Sequence, residues 1–302
     1  MGDTPSKENS QQVYTEDLPT QLVSDSGCRL WYRHSGEDEI DKMPYIPESQ
    51  LTTVEDYNTI IRSIHPYQIT HLYAQINQEM LPLDFLCPNA IRIKLVGNRQ
   101  TSYPLDCLGS LRKLKKIGIR GFNMSKGLPD VICSLSSLTK LLLASCQLRD
   151  LPERFKALSN LQILQIFEAN FANGLPEAIS ELSMLKQLVL VQCNLRDIPM
   201  SLSKLQHLEK LEISLNKFTH LPKVIYKLNN LNELDFSSNK ELRQMEPDLL
   251  TLNNLNQLNC VGCELLKLPP YFVCQQGLPA IRKCFLKQNK VFFLLLKLSE
   301  MR

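Results

Sequence analysis

No apolar run reaches the roughly 18 residues that a membrane-spanning helix needs. The longest, "VFFLLLKL" at 291–298, covers roughly 12 Å as a helix against about 30 Å of hydrocarbon. The first thirty residues also lack the apolar stretch of a secretory signal, so the expected residence is cytoplasmic, with the nucleus equally compatible. "MGDTPS" fits the loose N-myristoylation pattern at Gly2, but unmodified proteins share that pattern and one acyl chain anchors weakly. Excess charge of one sign is missing too: the net charge of +3 gives no whole-molecule argument for nucleic acid or a lipid surface as partner. The ten cysteines are scattered rather than framed in short spacings, which reads as reduced thiols, not a disulfide scaffold. The five histidines show no ligand spacing, and no G-x-x-x-x-G-K-[ST], G-x-G-x-x-G, H-E-x-x-H or G-x-S-x-G motif occurs. Neither catalysis nor a cofactor or metal is therefore expected.

What the chain does have is repetition. "CQLRDLPERFKALSNL" at 146–161 returns as "CNLRDIPMSLSKLQHL" at 193–208, with "ANFANGLPEAISELSML" between them. The unit follows L-x-x-L-x-L-x-x-N/C-x-L, and its first position falls at Ala90, Leu114, Leu138, Leu161, Leu185, Leu208, Leu231 and Leu255, spaced by 23 or 24 residues. "ITHLYAQIN" from Ile69 fits a ninth, degenerate unit. One such unit cannot bury its apolar face alone, so neighbours must stack into a continuous core. The L-x-L step reads as a strand pairing in parallel with the next unit's. Asn77, Asn98, Asn216 and Asn239 fall where an inward amide can satisfy backbone groups at the turn out of the strand, and Cys146, Cys193 and Cys263 take the same slot as weak donors. Cys260-x-x-Cys263 has zinc or redox spacing, but no second pair follows and Cys260 is at an inward strand position, which favours packing. Segments such as "LPERFKALSNL" and "LPKVIYKLNNL" form the outer face, with proline in the first turn of a short helix or 3₁₀ segment and leucines at i, i+3 and i+4 inward. At Met245-Glu246-Pro247 the proline is shifted by one, so a local deviation is expected.

Residues 69–270 resemble the intracellular leucine-rich-repeat proteins built on the "LPxxLxxLxxLxxLxLxxNxL" unit, a group that includes Ras-signalling scaffolds. The implied fold is an α/β, right-handed solenoid of eight or nine units, a horseshoe with a parallel concave sheet and short helix or 3₁₀ segments on the convex face. "LPPYFVCQQGLPAIRKCF" at 268–285 resembles the segment that closes the array in multidomain relatives continuing into a GTPase or death domain.

Residues 1–50 carry ten acidic and four basic side chains and read as an acidic, largely disordered segment, able to fold back on Lys115, Lys116 and Arg120. Residues 51–68, with a capping box at Thr52 and Glu55 and with Ile60, Ile61 and Ile64 on one face, read as an N-terminal capping helix. In 271–302, Ile281, Cys284, Phe285, Phe292, Leu295 and Leu296 recur at helical spacing, as a C-terminal cap or a partner-facing helix would.

The outward residues of the strands do not build the core, so they are the candidate site. At one end lie Tyr73, Arg92, Lys94, Lys115, Lys116, Arg120 and Lys140, and at the other Glu209, Glu212, Glu233 and Asp235. Ile163, Phe167, Val189 and Val191 lie between them as an apolar centre. Any single charge here reads equally well as a solvated strand position. The segregation of charge around apolar residues suits a protein partner of complementary polarity. The expected function is a non-catalytic scaffold or adaptor binding a protein through the concave face. The resemblance adds signal transduction, with small GTPases or signalling enzymes as partners. Two readings stay open beside it: a shortened relative of a multidomain leucine-rich-repeat receptor or GTPase that competes for its ligand, and a ubiquitin-ligase subunit whose partner supplies the catalysis.

Overall fold

Each unit begins with a buried residue, runs through a short strand, and returns along the opposite side as a single tight turn. Ala90, Leu114, Leu138, Leu161, Leu185, Leu208 and Leu231 are fully buried at the first position. The computed structural model describes residues 20–23, 29–33, 70–75, 87–101 and 105–288. Its strands, in chain order and in sheet order alike, are β1 (Thr20–Val23), β2 (Arg29–Arg33), β3 (His71–Gln75), β4 (Arg92–Thr101), β5 (Lys116–Phe122), β6 (Lys140–Ala144), β7 (Ile163–Phe167), β8 (Gln187–Val191), β9 (Lys210–Glu212), β10 (Glu233–Asp235) and β11 (Gln257–Asn259). From β3 to β11 all neighbours pair in parallel, with equivalent slots opposed: Leu141, Leu164, Leu188, Leu211 and Leu234 follow one another across the sheet. Period-two alternation sends this leucine row and the Leu143, Ile166, Leu190 and Ile213 row inward.

The return side is 3₁₀ in most units, with one short α-helical turn at Asp130–Cys133. In one unit Phe155, Leu158 and Leu161 donate to the carbonyls of Pro152, Phe155 and Leu158 at 2.9, 3.2 and 2.9 Å, each three residues back. Three residues per turn aligns side chains at i and i+3, so Phe155, Ile179, Leu202 and Ile225 stack in one buried column with Leu158, Leu182, Leu205 and Leu228 in the next. Each residue of the first column lies four places after a buried residue, Leu151, Leu175, Ile198 or Leu221. Proline caps these segments at Pro129, Pro152, Pro176, Pro199 and Pro222. The displaced Pro247 opens Pro247–Thr251 itself, and Glu246 takes the cap. Glu246 thus has an N–H where the other units have none, and the Tyr226 hydroxyl of the preceding unit accepts it at 2.9 Å.

The turn after the strand is as regular as the strand. Gly121, Ser145, Glu168, Gln192, Leu215, Ser238 and Gly262 all occupy position 8 of their units and all have positive φ. In the unit starting at Ala90 the left-handed residue comes two places later, at Arg99 (φ 69). There β4 runs on to Thr101 with a register shift after Val96, and Asn98 is carried out to an exposed position rather than inward. Asn216 and Asn239 behave as expected, being 6% and 0% exposed. Asn77 lies outside the described residues.

Two strands fall within the segment whose composition reads as disordered. β1 and β2 form an antiparallel hairpin, and β2 pairs antiparallel with β3, covering the edge that the parallel array would leave open. At the other end a helix over 278–288 follows Tyr271–Cys274 after a break at Gly277 (φ 86). It buries Ile281 and Phe285 fully, and Arg282 Nη2 donates to the carbonyls of Leu252 and Leu255 at 3.1 and 3.0 Å. The expected helix over 51–68 and Phe292, Leu295 and Leu296 lie outside the described residues.

Candidate partner-binding face

Parallel pairing in register lines up the outward-facing positions in rows across the strands. One row runs His71, Arg92, Lys116, Lys140, Ile163, Gln187, Lys210, Glu233, Gln257, and a second runs Tyr73, Lys94, Gly118, Leu142, Gln165, Val189, Glu212, Asp235, Asn259. A third continues Val96, Arg120, Ala144, Phe167, Val191. The structure therefore brings the predicted basic, apolar and acidic residues onto one face, in that order. Tyr73 is placed beside Lys94 by backbone register.

Four of the predicted residues sit differently from the expectation. Val189 is only 3% exposed, because its short branched side chain lies between the longer Gln165 and Glu212 on the neighbouring strands. Arg92 is only 6% exposed and is held within the fold. Lys115 and Glu209 precede β5 and β9, so they line the rim where the chain is still turning off the convex side, not the sheet itself. Beside Glu209 this rim bears the amides Asn230, Asn232, Asn253, Asn254 and Asn256, which with His207 and Glu209 border a hollow of about 530 Å³.

Counting charges alone missed Leu142, Gly118, Gln165 and Gln187. Leu142 and Gly118 hold position 5 of their units, so the repeat alignment contained the signal. Leu142 widens the apolar centre toward β6, and the two glutamines interrupt it.

The acidic end is partly self-neutralised. Lys210 Nζ lies 2.9 Å from Glu233 Oε2, and Asn259 Nδ2 donates to Asp235 Oδ2 at 2.7 Å. Burial and then the neighbouring Asp235 carboxylate hold the Glu212 carboxyl above its ordinary range. A hollow of about 470 Å³ opens over this end, walled on one side by Leu278 and Pro279 of the closing helix.

The cysteines serve the frame. Sγ of Cys146, Cys193 and Cys263 donates to the carbonyl of Ile119, Ile166 and Phe236 at 3.5, 3.4 and 3.3 Å. Asn216 and Asn239 donate to the equivalent carbonyls, Leu190 and Ile213, at 2.7 and 3.0 Å. Burial pushes the Cys193 thiol up to about 12 and the Cys263 thiol up to about 11, while contact with Cys274 and burial push Cys260 up as well. Thiols held protonated in this way are poor nucleophiles and poor metal ligands. Among the described residues, no group of three or more His, Cys, Asp or Glu is arranged to hold a metal ion. No helix among them is long and apolar enough to cross a membrane.

An open parallel sheet of stacked units, backed by 3₁₀ turns and presenting its outward rows for contact, defines the class: a leucine-rich-repeat solenoid, a fold of the protein-interaction kind. Residues 77–280 match the family model described as leucine-rich repeat region, and the chain belongs to that family. No curated protein sequence matches it. Among solved structures it is similar to the leucine-rich repeat domain of the type III effector XopL, with 21% identity and a TM-score of 0.57 over 72% of this chain and 75% of that one. It is similar also to a leucine-rich repeat protein of Leptospira interrogans, with 23% identity and a TM-score of 0.49; the match covers 62% of this chain and 56% of that one. A third similar structure is the Arabidopsis receptor kinase HAESA in complex with the peptide hormone IDA and the co-receptor SERK1 (21% identity, TM-score 0.46, 61% of this chain and 36% of that one).

Proposed function

We propose that the chain is a protein-binding scaffold that holds an extended segment of its partner along the concave sheet. The observation that carries this is the order of chemistry across the strands in register. Cations at Lys116 and Lys140 give way to Ile163, Phe167 and Val191, then to carboxylates at Glu212, Glu233 and Asp235. Such a gradient fixes a partner's direction and speeds encounter, while apolar contacts at the centre supply most of the affinity. An adaptor role in signal transduction is the corresponding finer proposal, with small GTPases or signalling enzymes as partners; the resemblance of the repeat unit to Ras-signalling scaffolds supports it. Cytoplasmic residence is proposed on the thiol chemistry, since Cys146, Cys193 and Cys263 must stay reduced to act as donors.

The test is affinity purification of the full chain against a Leu142→Glu, Phe167→Glu, Val191→Glu variant whose circular dichroism matches the wild type. Loss of the specific partners in the variant is the expected result. Retention of the same partners puts binding on another surface and rejects the concave site.

A further inference from the structure

Within the basic end lies a smaller feature that charge counting does not reveal. Gly118 of β5 stands opposite Lys94 of β4 and Leu142 of β6, and two residues back along the strands Arg92, Lys116 and Lys140 are directly opposed on three consecutive strands. The side chain missing at Gly118 leaves a dent of about 60 Å³ whose polar lining is Arg92, Lys94, Lys116 and Lys140. Strands in a sheet are about 4.8 Å apart, so the three opposed cations gather positive charge on one spot of the face. Arg92, only 6% exposed, is a fixed wall of the dent and not a solvated side chain. All four basic residues already interact with other groups of the chain, so an incoming anion exchanges with or adds to these.

We propose that this dent is an oxyanion pocket that receives a phosphorylated side chain of the partner segment lying along the concave sheet. The inference rests on the concave-face reading and supplies the partner's chemistry. A phosphoryl group brings a charge near −2 and three acceptor oxygens, which suits one guanidinium and three ammonium groups better than a single carboxylate does. The pocket opens on the inner face of the sheet, which an extended peptide reaches and a flat lipid surface does not.

The test uses the full chain and three fluorescent degenerate peptide pools, one with a central phosphorylated Ser, Thr or Tyr, one with the unphosphorylated residues, and one with Glu. The phosphorylated pool is expected to bind roughly tenfold or more tightly than the other two, as loss of charge-assisted hydrogen bonds implies. Lys116→Gln and Lys140→Gln should each erase most of that preference. Gly118→Val should also erase it by filling the dent. Gly118→Ala is the folding control, because its Cβ meets Lys94 Cγ at 3.7 Å and Leu142 Cβ at 3.9 Å, ordinary contacts. Equal binding of the three pools, or no binding of the phosphorylated pool at millimolar concentration, overturns the proposal. So does a phosphate preference untouched by Gly118→Val, which would mean diffuse charge. Binding of phosphatidylinositol bisphosphate vesicles that Gly118→Val abolishes would assign the pocket to lipid and overturn it too. Phe167→Glu separates the two readings: equal pools that still weaken with Phe167→Glu sink only the phosphate pocket, whereas pools indifferent to Phe167→Glu sink the concave site.

Discussion

Arg99 and Glu168, 69 residues apart in the chain, meet at 2.6 Å between Nη2 and Oε2. The prolonged strand β4 carries Arg99 along the sheet edge, where its carbonyl also accepts a hydrogen bond from Gln147 Nε2 at 2.8 Å. Both partners are substantially exposed, at 65% and 36%, so solvent screening keeps the pair's worth within about 1 kcal/mol. What holds this edge is backbone: a Cβ on Gly121, whose φ is +70, would lie 2.6 Å from the Gly97 carbonyl oxygen. Gly121→Ala is expected to cost about 1–3 kcal/mol and Arg99→Ala at most about 1, as urea denaturation would report. The opposite ranking would make the ion pair the true fastener.

Among the described residues, Asn216 is the most heavily used inward amide. Its Oδ1 accepts the N–H groups of Cys193 and Leu195 at 3.0 and 3.1 Å, while Nδ2 donates to the carbonyls of Leu190 and Ile213 at 2.7 and 3.0 Å. Asn216→Ala leaves several buried backbone groups unpaired, at about 1–3 kcal/mol each. Asn216→Cys should cost less, since a thiol can still donate to the Leu190 carbonyl as Cys193 does one unit earlier. Thermal melts of the two variants decide the order.

Leu215 occupies the left-handed turn position with φ 57 and is 49% exposed, so it carries the conformational penalty with little burial in return. Leu215→Asn should raise stability by roughly 0.5–1 kcal/mol, because Asn tolerates this backbone region. An unchanged or lowered melting temperature would show that Leu215 earns its place through contacts.

The Glu212 carboxyl titrates above its ordinary value of 4.5, chiefly through burial and secondly through Asp235. A raised folded-state pKa means the fold favours the protonated form, so its contribution is complete below 4.5 and is lost as pH climbs through the raised value. Glu212→Gln is therefore expected to stabilise the chain at neutral pH, with the gain shrinking as pH falls toward 4.5. Urea midpoints across that range test this, and a gain that grows in acid contradicts it.

Val189 and Phe167 face the same side of the sheet but differ in exposure. Placing a carboxylate at the 3% exposed Val189 should cost several kcal/mol and disrupt the array, whereas Phe167→Glu should leave the fold intact. Circular dichroism of the two single variants is sufficient. If both fold equally well, the concave face is looser than its register implies.

The repeat made most of the frame legible. The leucine slots, the parallel pairing from β3 to β11, the short helical or 3₁₀ returns and the Cys-for-Asn substitution at Cys146, Cys193 and Cys263 all follow from what one unit needs to bury and to pair. The candidate face was legible as a list of residues but not as a surface. Positions 3, 5 and 7 of a unit point outward by alternation, which placed Lys116, Glu212 and Phe167 correctly. Position 2, held by Lys115 and Glu209, looked equivalent on paper but lies on the rim.

The sequence by itself determined the unit and most of its buried positions, because these depend on spacing within about 24 residues and on the need of each unit for a neighbour. Only the tertiary structure decided that Asn98 turns outward, that Val189 is covered, that Arg92 is held beside the dent at Gly118, and that Arg99 reaches Glu168. Each of these depends on which side chains stand opposite on the next strand or several strands away, a relation that periodicity along the chain does not encode.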